Sequence, residues 1–339
     1  MAGRQAVTTR DIADQLGISI STVGRALSDD PRISRETRFR VKEKAAELGY
    51  VGNLAARLIR GAPSTVVGLI VPDVRNSFYS TAAHALAQTM AQHGYQVMLS
   101  ETDDHEDNEL AQVKGLAAAQ VAGVIIVPTP NPRAGTVRLL RTMPHVQFLR
   151  QQDKLGDHWF GVDDRQVLRQ ATEHLVSLGH RRIAYLGGPP GRSTSTRRLE
   201  GFTGVLGADA DPELIIHTPP SSIEDARRAV GTVLSSPRRP TAIVTASVRI
   251  TEGLLQELTA RGMDVPREMS VVGFGDEPGF SWWGGGLTTM ALPVHEVATS
   301  CAMWLLQRLR DTGNDAPYNS RAAGYLVTRG STDVPRSGA

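Results

Sequence analysis

From residue 65 to residue 276 the chain repeats one theme: a short apolar run of strand length, then a stretch whose apolar residues recur at helical spacing. "TVVGLIVPD" (65–73) precedes a helical stretch near 79–93, "YQVMLSE" precedes 107–121, and "GVIIVPT", "HVQFL" and "WFGVDD" follow. The theme restarts with helix 165–179, "RIAYLGGP", helix 196–207, "ELIIH", helix 223–235, "TAIVTAS", helix 249–262 and "SVVGFGD". Strands that alternate with helices lie parallel, because each helix carries the chain back across the sheet. Two such runs predict two similar α/β lobes. Ligands of such sheets bind beyond the carboxyl ends of the strands, and between two facing lobes those ends line one cleft. Residues 292–330 begin with an extended "LPV", predict a helix at about 294–312 and end with the strand-like "GYLVTR".

The rest of the chain argues for a second, smaller unit. A length of 339 residues fits one small plus one large domain, or two to three similar ones. Aromatic residues make up 5%, so the core has to rest on Val, Leu, Ile and Ala. No segment approaches the run of about 18 apolar residues that crosses a bilayer. The opening "MAGRQAVTTRDIADQLG" lacks the apolar stretch of a secretory signal, so a cytoplasmic protein is expected. Cys301 is the single cysteine, which excludes an internal disulfide and a cysteine-rich zinc site. It lies in the apolar helical stretch "VATSCAMWLLQRL" and reads as a small buried hydrophobe. The net charge of +2 is unevenly placed. Residues 1–64 hold 11 Lys and Arg against 7 Asp and Glu; the remainder holds 26 against 28. A basic end on a mildly acidic body fits a polyanion partner, although an ordinary solvated surface explains charge alone equally well.

Pattern decides between the two. Thr9 can cap a helix over 10–16, where Ile12, Ala13 and Leu16 share a face. Gly17 allows a tight turn, and Ser19 can cap a second helix over about 20–27 whose Val23 and Leu27 point inward. Helix, short glycine turn, helix is the helix-turn-helix layout, in which the start of the second helix enters the major groove. Ile20, Ser21 and Arg25 then project away from the core. Arg25 suits guanine O6 and N7, Ser21 suits donors or acceptors, and Ile20 suits a thymine methyl. Ser19 and Thr22 suit phosphates. A third helix follows Ser34, with Val41, Ala45 and Leu48 packing behind the first two. Asn53 caps "LAARLIR", a helix too short to stand alone and therefore one expected to fold on a partner.

The segments "TTRDIADQLGISISTVGRAL", "PRISRETRFRVKEKAAELGY" and "NLAARLIRG" resemble the DNA-binding headpiece and hinge helix of the lactose-repressor (LacI/GalR) family. The resemblance continues through "GLIVPDVRNSFY", "EHLVSLGHRRIAYLGGP", "RRLEGF", "SVVGFGD" and "GLTTMALPV", about 320 residues in all. It implies an all-α helix-turn-helix headpiece (1–52), a hinge helix and linker (53–64) and a periplasmic-binding-protein-like type I bilobal α/β domain (65–339). The first lobe would comprise about 65–162 and 292–330, the second about 163–291, with about three crossings between them. It further implies base reading by Ile20, Ser21 and Arg25, backbone contacts by Tyr50 and Asn53, and a minor-groove wedge at Ile59. Thr8 and Ala56 complete the DNA-facing set. Gly24 replaces a usual serine, lowering helix propensity by up to about 1 kcal/mol, and Ile59 stands where leucine is usual.

For the cleft, Phe78 and Tyr79 can stack on a ring or simply pack. Asp73 and Asn76 can bond hydroxyls or cap a helix. Arg198 matches the family's ligand-binding arginine, and Arg192 and Thr194 match positions used by some members. Arginines at a helix start favour an anion. Ser247-Val248 stand where sugar- and purine-binding members carry Asn-Asp, and Gly275 followed by Asp276 stands where they carry Asp. With these polar and acidic groups missing, the expected effector is an acid such as a sugar acid. Trp282 and Trp283, ahead of Gly284-Gly285-Gly286, can wall the cleft or pack at the surface.

"GGPPG" lacks the Gly-Lys-Ser/Thr of a phosphate loop, no G-x-G-x-x-G follows the first strand, and neither H-E-x-x-H nor G-x-S-x-G occurs. The nine histidines are scattered, and His174 and His180 read as packing or turn residues. No cofactor, no metal and no enzymatic activity are expected. The expected protein is a homodimeric, effector-controlled regulator of a near-palindromic operator, a repressor in type. Its rival is a cytoplasmic solute-binding sensor without DNA function. The tail lacks leucine heptads, so no tetramerising coiled coil is expected.

Overall fold

A computed structural model describes residues 7–50, 63–219, 222–236, 238–311 and 316–336. The chain divides into two compact units, Met1–Ser64 and Thr65–Ala339. Asn53, Ala56 and Ile59 lie outside the described residues.

In the first unit, α1 spans Thr9–Leu16, α2 Ile20–Leu27 and α3 Arg35–Glu47. The cap of α1 is Thr8, one residue earlier than the sequence predicts. Its hydroxyl and its backbone N–H both reach Asp11 Oδ2, at 2.8 and 2.7 Å, and Asp11 N–H returns to Thr8 Oγ1. A capping box needs its acidic partner three residues on, and Asp11 stands three after Thr8, not Thr9. Gly17, at φ 64, takes the left-handed conformation that ends α1. Ile12, Ala13, Val23, Ala26, Val41 and Ala45 form the buried core. Ala26 takes the central place expected of Leu27, which packs half-buried at the margin.

The second unit holds two six-stranded sheets with strand orders β11-β5-β4-β3-β1-β2 and β12-β10-β9-β8-β6-β7. In the first, β1 (Val66–Val71), β2 (Gln96–Glu101), β3 (Gly123–Ile126), β4 (His145–Phe148), β5 (Trp159–Val162) and β11 (Asn319–Ala322) pair in parallel throughout. In the second, β6 (Ile183–Gly187), β7 (Ile215–His217), β8 (Ala242–Thr245), β9 (Ser270–Phe274) and β10 (Thr288–Ala291) are parallel, and β12 (Tyr325–Val327) closes the edge antiparallel to β10. β1, β3, β5, β6, β8, β9 and β10 are buried along their length, as strands covered on both faces must be.

The chain crosses between sheets near residue 163, at 292–293 and at 323–324. The expected first-lobe boundary at 330 is therefore corrected. The helix Val294–Arg310 and β11 belong to the first lobe, but β12 pairs with β10 in the second. The apolar alternation of "GYLVTR" identifies a strand without saying which sheet it joins. Beyond β12 the tail stays on the second lobe: Ser331 Oγ accepts from Thr288 N–H and donates to the Val271 carbonyl.

Candidate nucleic-acid interface and effector cleft

The N-terminal turn of α2 presents a small hydroxyl cluster. Ser19 Oγ accepts the Thr22 N–H at 3.1 Å and lies 2.8 Å from both Ser21 Oγ and Thr22 Oγ1. The Ser19 hydroxyl thereby caps the helix. Ile20 is 44% exposed, which for a large aliphatic side chain beside a buried Val23 marks a face the core does not use. Ser21 and Arg25 are exposed on the same short helix. The Arg25 guanidinium makes no hydrogen bond or ion pair among the described residues, so its planar donor fork is open to an acceptor. The predicted reading face, Ile20, Ser21 and Arg25, is thus assembled on one element. Thr8 is engaged in its capping box, and Tyr50 is half-buried against the headpiece core.

In the body, a cavity of about 230 Å³ opens where the carboxyl ends of β1, β2, β4, β6, β8 and β9 converge. Asp73, Asn76, Phe78, Tyr79, Arg192, Thr194, Arg198 and Ser247 all line it, as the sequence predicts. Asn76 Oδ1 accepts the Phe78 N–H, and Ser247 Oγ accepts the Ile250 N–H, so each caps a helix from the cavity wall. Asp73 Oδ1 accepts from both the backbone and the Nε of Arg75 at 2.9 Å. Burial works to raise the Asp73 carboxyl, but the Arg75 bonds prevail and hold it below the usual range. Phe78 and Tyr79 meet edge to face, 6.0 Å between centroids.

Two arginine clusters dominate the polar wall. Arg198 donates from Nε to Asp164 Oδ1 and from Nη1 to the Ala246 carbonyl, both at 2.6 Å. Its guanidinium carbon lies 4.1 Å from the Phe274 ring centroid. Its Nη2 has no hydrogen-bond partner among the described residues. Asp164, 1% exposed, is pushed up by burial and pulled down by Arg198, with burial prevailing. The second cluster includes two residues that the sequence reading missed. Asp104 lies between Arg150 (Nη1 2.5 Å) and Arg192 (Nη2 2.6 Å, Nε 2.9 Å). Burial alone would raise the Asp104 carboxyl; the two guanidinium groups outweigh it and hold it below the carboxylate range. Arg150, itself 7% exposed, also donates from Nη1 to the Pro128 carbonyl at 3.3 Å. The available signals were "ETDDHED" just after β2 and "FLRQQD" just after β4, charged residues at the carboxyl ends of parallel strands.

Two expected cleft residues are corrected. Asp276 does not line the cavity: Arg329 clasps it with two donors, at 2.7 and 2.9 Å, and Thr289 Oγ1 adds a third bond at 2.8 Å. Gly275, at φ 82, turns the chain just before it. Trp282 is 77% exposed and outside the cavity wall, while Trp283 packs on the second-lobe core and donates to Thr259 Oγ1 at 3.1 Å. No group of three or more metal-ligating side chains occurs among the described residues.

A helix-turn-helix whose second helix presents an exposed polar face and, in the same chain, a ligand-sized cavity between parallel-sheet lobes point to a class: regulators that bind DNA under the control of a small molecule. Comparison with known proteins gives the family. Residues 8–53 match the model of bacterial regulatory proteins of the lacI family, and residues 172–332 match a periplasmic-binding-protein-like domain. The HTH-type transcriptional regulator MalR of Streptomyces coelicolor is 30% identical over 342 residues, covering 96% of this chain and 97% of its own. The HTH-type transcriptional repressor CytR of Escherichia coli is 27% identical over 332 residues, 96% of each chain. The crystal structure of the Lac repressor dimer bound to operator and the anti-inducer ONPF superposes with a TM-score of 0.84 at 25% identity, covering 97% of this chain and all of that one. The chain belongs to the lacI family: it is a DNA-binding transcriptional repressor regulated by effector binding. These relatives are regulators rather than enzymes, which bears out the expectation of no catalytic activity.

Proposed function

We propose that the protein works as a homodimer on a near-palindromic operator and that its effector is a small organic acid, a sugar acid in type, held in the interlobe cavity. The observation that carries the acid is Arg198, whose Nη2 has no hydrogen-bond partner among the described residues, at a wall that offers no family-type Asn-Asp pair. Its buried counter-ion, Asp164, lies outside the residues that line the cavity. The helix Ser193–Leu206 starts at the same wall, and its N-terminal N–H groups favour negative charge. Arg192 and Thr194 flank that helix start. Phe78 and Tyr79 supply ring faces for a sugar, and Asp73, Asn76 and Ser247 supply hydroxyl partners.

Operator reading rests on Ile20, Ser21 and Arg25, with Ser19, Thr22, Thr8 and Tyr50 toward the phosphates. Asn53, Ala56 and Ile59 are proposed to add operator contacts, with Ile59 the minor-groove wedge. Each headpiece takes one half-site, so twofold protein symmetry meets twofold DNA symmetry. The effector acts by binding the DNA-competent and incompetent arrangements of the lobes with different affinity.

Calorimetry with pairs of neutral sugars and their acids tests the ligand class. The acid is expected to bind and its neutral partner to bind at least about tenfold more weakly, a difference of about 1.4 kcal/mol. Tight binding of the neutral sugar without its acid overturns the reading. A gel shift on a palindromic promoter fragment, with and without the bound acid, tests the regulatory half.

A further inference from the structure

One ion pair, Arg192 with Asp104, joins the two lobes across the cavity. Arg192 precedes the helix Ser193–Leu206 of the second lobe, and its partner Asp104 follows β2 of the first. The other cleft ion pairs, Arg75–Asp73, Arg150–Asp104 and Arg198–Asp164, each stay within one lobe. Further hydrogen bonds cross between the lobes, among them Arg249 Nη2 to the Arg75 carbonyl at 3.0 Å. Gln151 N–H donates to Ser193 Oγ at 3.0 Å, and Arg197 Nη2 donates to Gln151 Oε1 at 2.7 Å.

The segment that presents Asp104 is built to hold it still. Thr102, fully buried, donates its N–H to the Val71 carbonyl, and Asp103 N–H reaches the Pro72 carbonyl. Asp104 N–H reaches Thr102 Oγ1, and Asn108 Nδ2 reaches the Thr102 carbonyl. Asp103 and Asp104 both take left-handed backbone, at φ 48 and φ 63. Two successive non-glycine residues in that region are costly and persist only where surrounding bonds dictate them. Arg150 then pins the carboxylate from behind, so its free side faces the opposite lobe.

We propose that Asp104 is a resident anion that latches the two lobes together through Arg192. The inference deepens the effector-cleft reading, and its regulatory consequence rests on that reading: an incoming ligand has to compete with Asp104 for Arg192 or enter while the latch is open. The latch is suited to reversible use. Opening removes one partner from Asp104 and leaves Arg150 in place, so no buried charge is stranded. A partly buried ion pair gains little net free energy over its hydrated ends, because desolvation offsets most of the attraction.

The test uses the full-length, ligand-free protein and amide hydrogen exchange. Arg192→Gln is the diagnostic variant, since it keeps the Asp104–Arg150 pair. Arg267→Gln, which breaks the exposed Arg267–Asp264 pair on the second-lobe surface, is the control. Exchange at 102–108 and 188–196 is expected to rise on the order of tenfold in Arg192→Gln, with β8 and β9 unchanged. It stays at the wild-type level in the control and is largely restored in Arg192→Lys, which keeps the charge. Wild-type exchange at both segments in Arg192→Gln overturns the latch, as does a rise that spreads equally to β8 and β9, or an equal rise in the control. Acid binding is read separately by calorimetry. Unaltered exchange with acid bound sinks the latch alone; raised exchange with no acid bound sinks the acid reading and leaves the latch standing.

Discussion

Arg198 Nε lies 2.6 Å from Asp164 Oδ1, and the carboxylate it neutralises is 2% exposed. One guanidinium therefore serves two purposes, offering a donor at the cavity wall and compensating a buried acid behind it. Replacing it with an uncharged residue strands that acid. Arg198→Gln is expected to lower the stability of the body by about 3–5 kcal/mol in urea unfolding and to weaken acid binding. Adding Asp164→Asn should recover most of the stability and none of the binding. Recovery of both would show that Arg198 acts only as a structural counter-ion.

Arg25, exposed on α2 and unpaired among the described residues, is expected to read one base pair. Arg25→Ala should cost about 1–3 kcal/mol on the operator and relax preference at a single position, while binding to random DNA changes little. Equal losses on both DNAs in a competition gel shift would assign Arg25 to the phosphates instead.

Gly201 and Gly204 sit one turn apart on the helix Ser193–Leu206 but face different surroundings. A Cβ on Gly201 would lie 2.3 Å from the Arg165 carbonyl oxygen of the neighbouring helix, whereas one on Gly204 meets nothing within 4 Å. Gly201→Ala should therefore destabilise by about 1–3 kcal/mol, and Gly204→Ala should stabilise by about 0.4–1 kcal/mol. Equal shifts of the melting temperature would mean that the two helices separate readily, contrary to this packing.

His180 is 1% exposed, with Nδ1 2.8 Å from Thr241 Oγ1 and Nε2 donating to the Asp333 carbonyl at 2.9 Å. Burial pushes its pKa down, against the opposing pull of Asp333. The neighbouring His174 is lowered too, by burial and then by His180. Groups depressed on folding stay neutral in the native state, so the unfolded chain takes up more protons as pH falls. Their contribution is complete above the ordinary histidine value of about 6.5 and is lost as pH falls below it. Thermal melts from pH 8 to pH 5 should fall on the acid side, and His180→Gln should melt lower at pH 8 but with a shallower decline. A slope identical to wild type would place the acid sensitivity elsewhere.

Much of this was legible in the chain because parallel sheets are periodic objects. The run "VVGLIV" at β1 is apolar at every position, which is the signature of a strand covered on both sides, and "SVVGF" at β9 says the same. The rule that ligands sit at strand carboxyl ends then placed Asn76, Thr194, Arg198 and Ser247 at one cavity. What periodicity does not carry is side-chain direction after a strand ends. Asp276 follows β9 just as Ser247 follows β8, yet a left-handed Gly275 and the distant Arg329 claim it. Asp104 was missed for the converse reason: nothing in "ETDDHED" distinguishes a solvated acid from one held between two guanidinium groups that arrive from 46 and 88 residues away. Long-range pairing also decided the place of β12, which a local pattern cannot assign.

The threefold passage of the backbone between the sheets bears on how such proteins can be recombined. Neither half of the effector domain is a contiguous stretch: β11 and β12, two residues apart, belong to opposite halves. A chimera that exchanges only residues 164–291 would leave the donor's second sheet edged by the recipient's β12 and stitched at Thr288 and Val271 to a foreign Ser331. Swapping specificity by halves therefore requires at least two grafts made together, with the carboxyl-terminal seam travelling with the piece it closes.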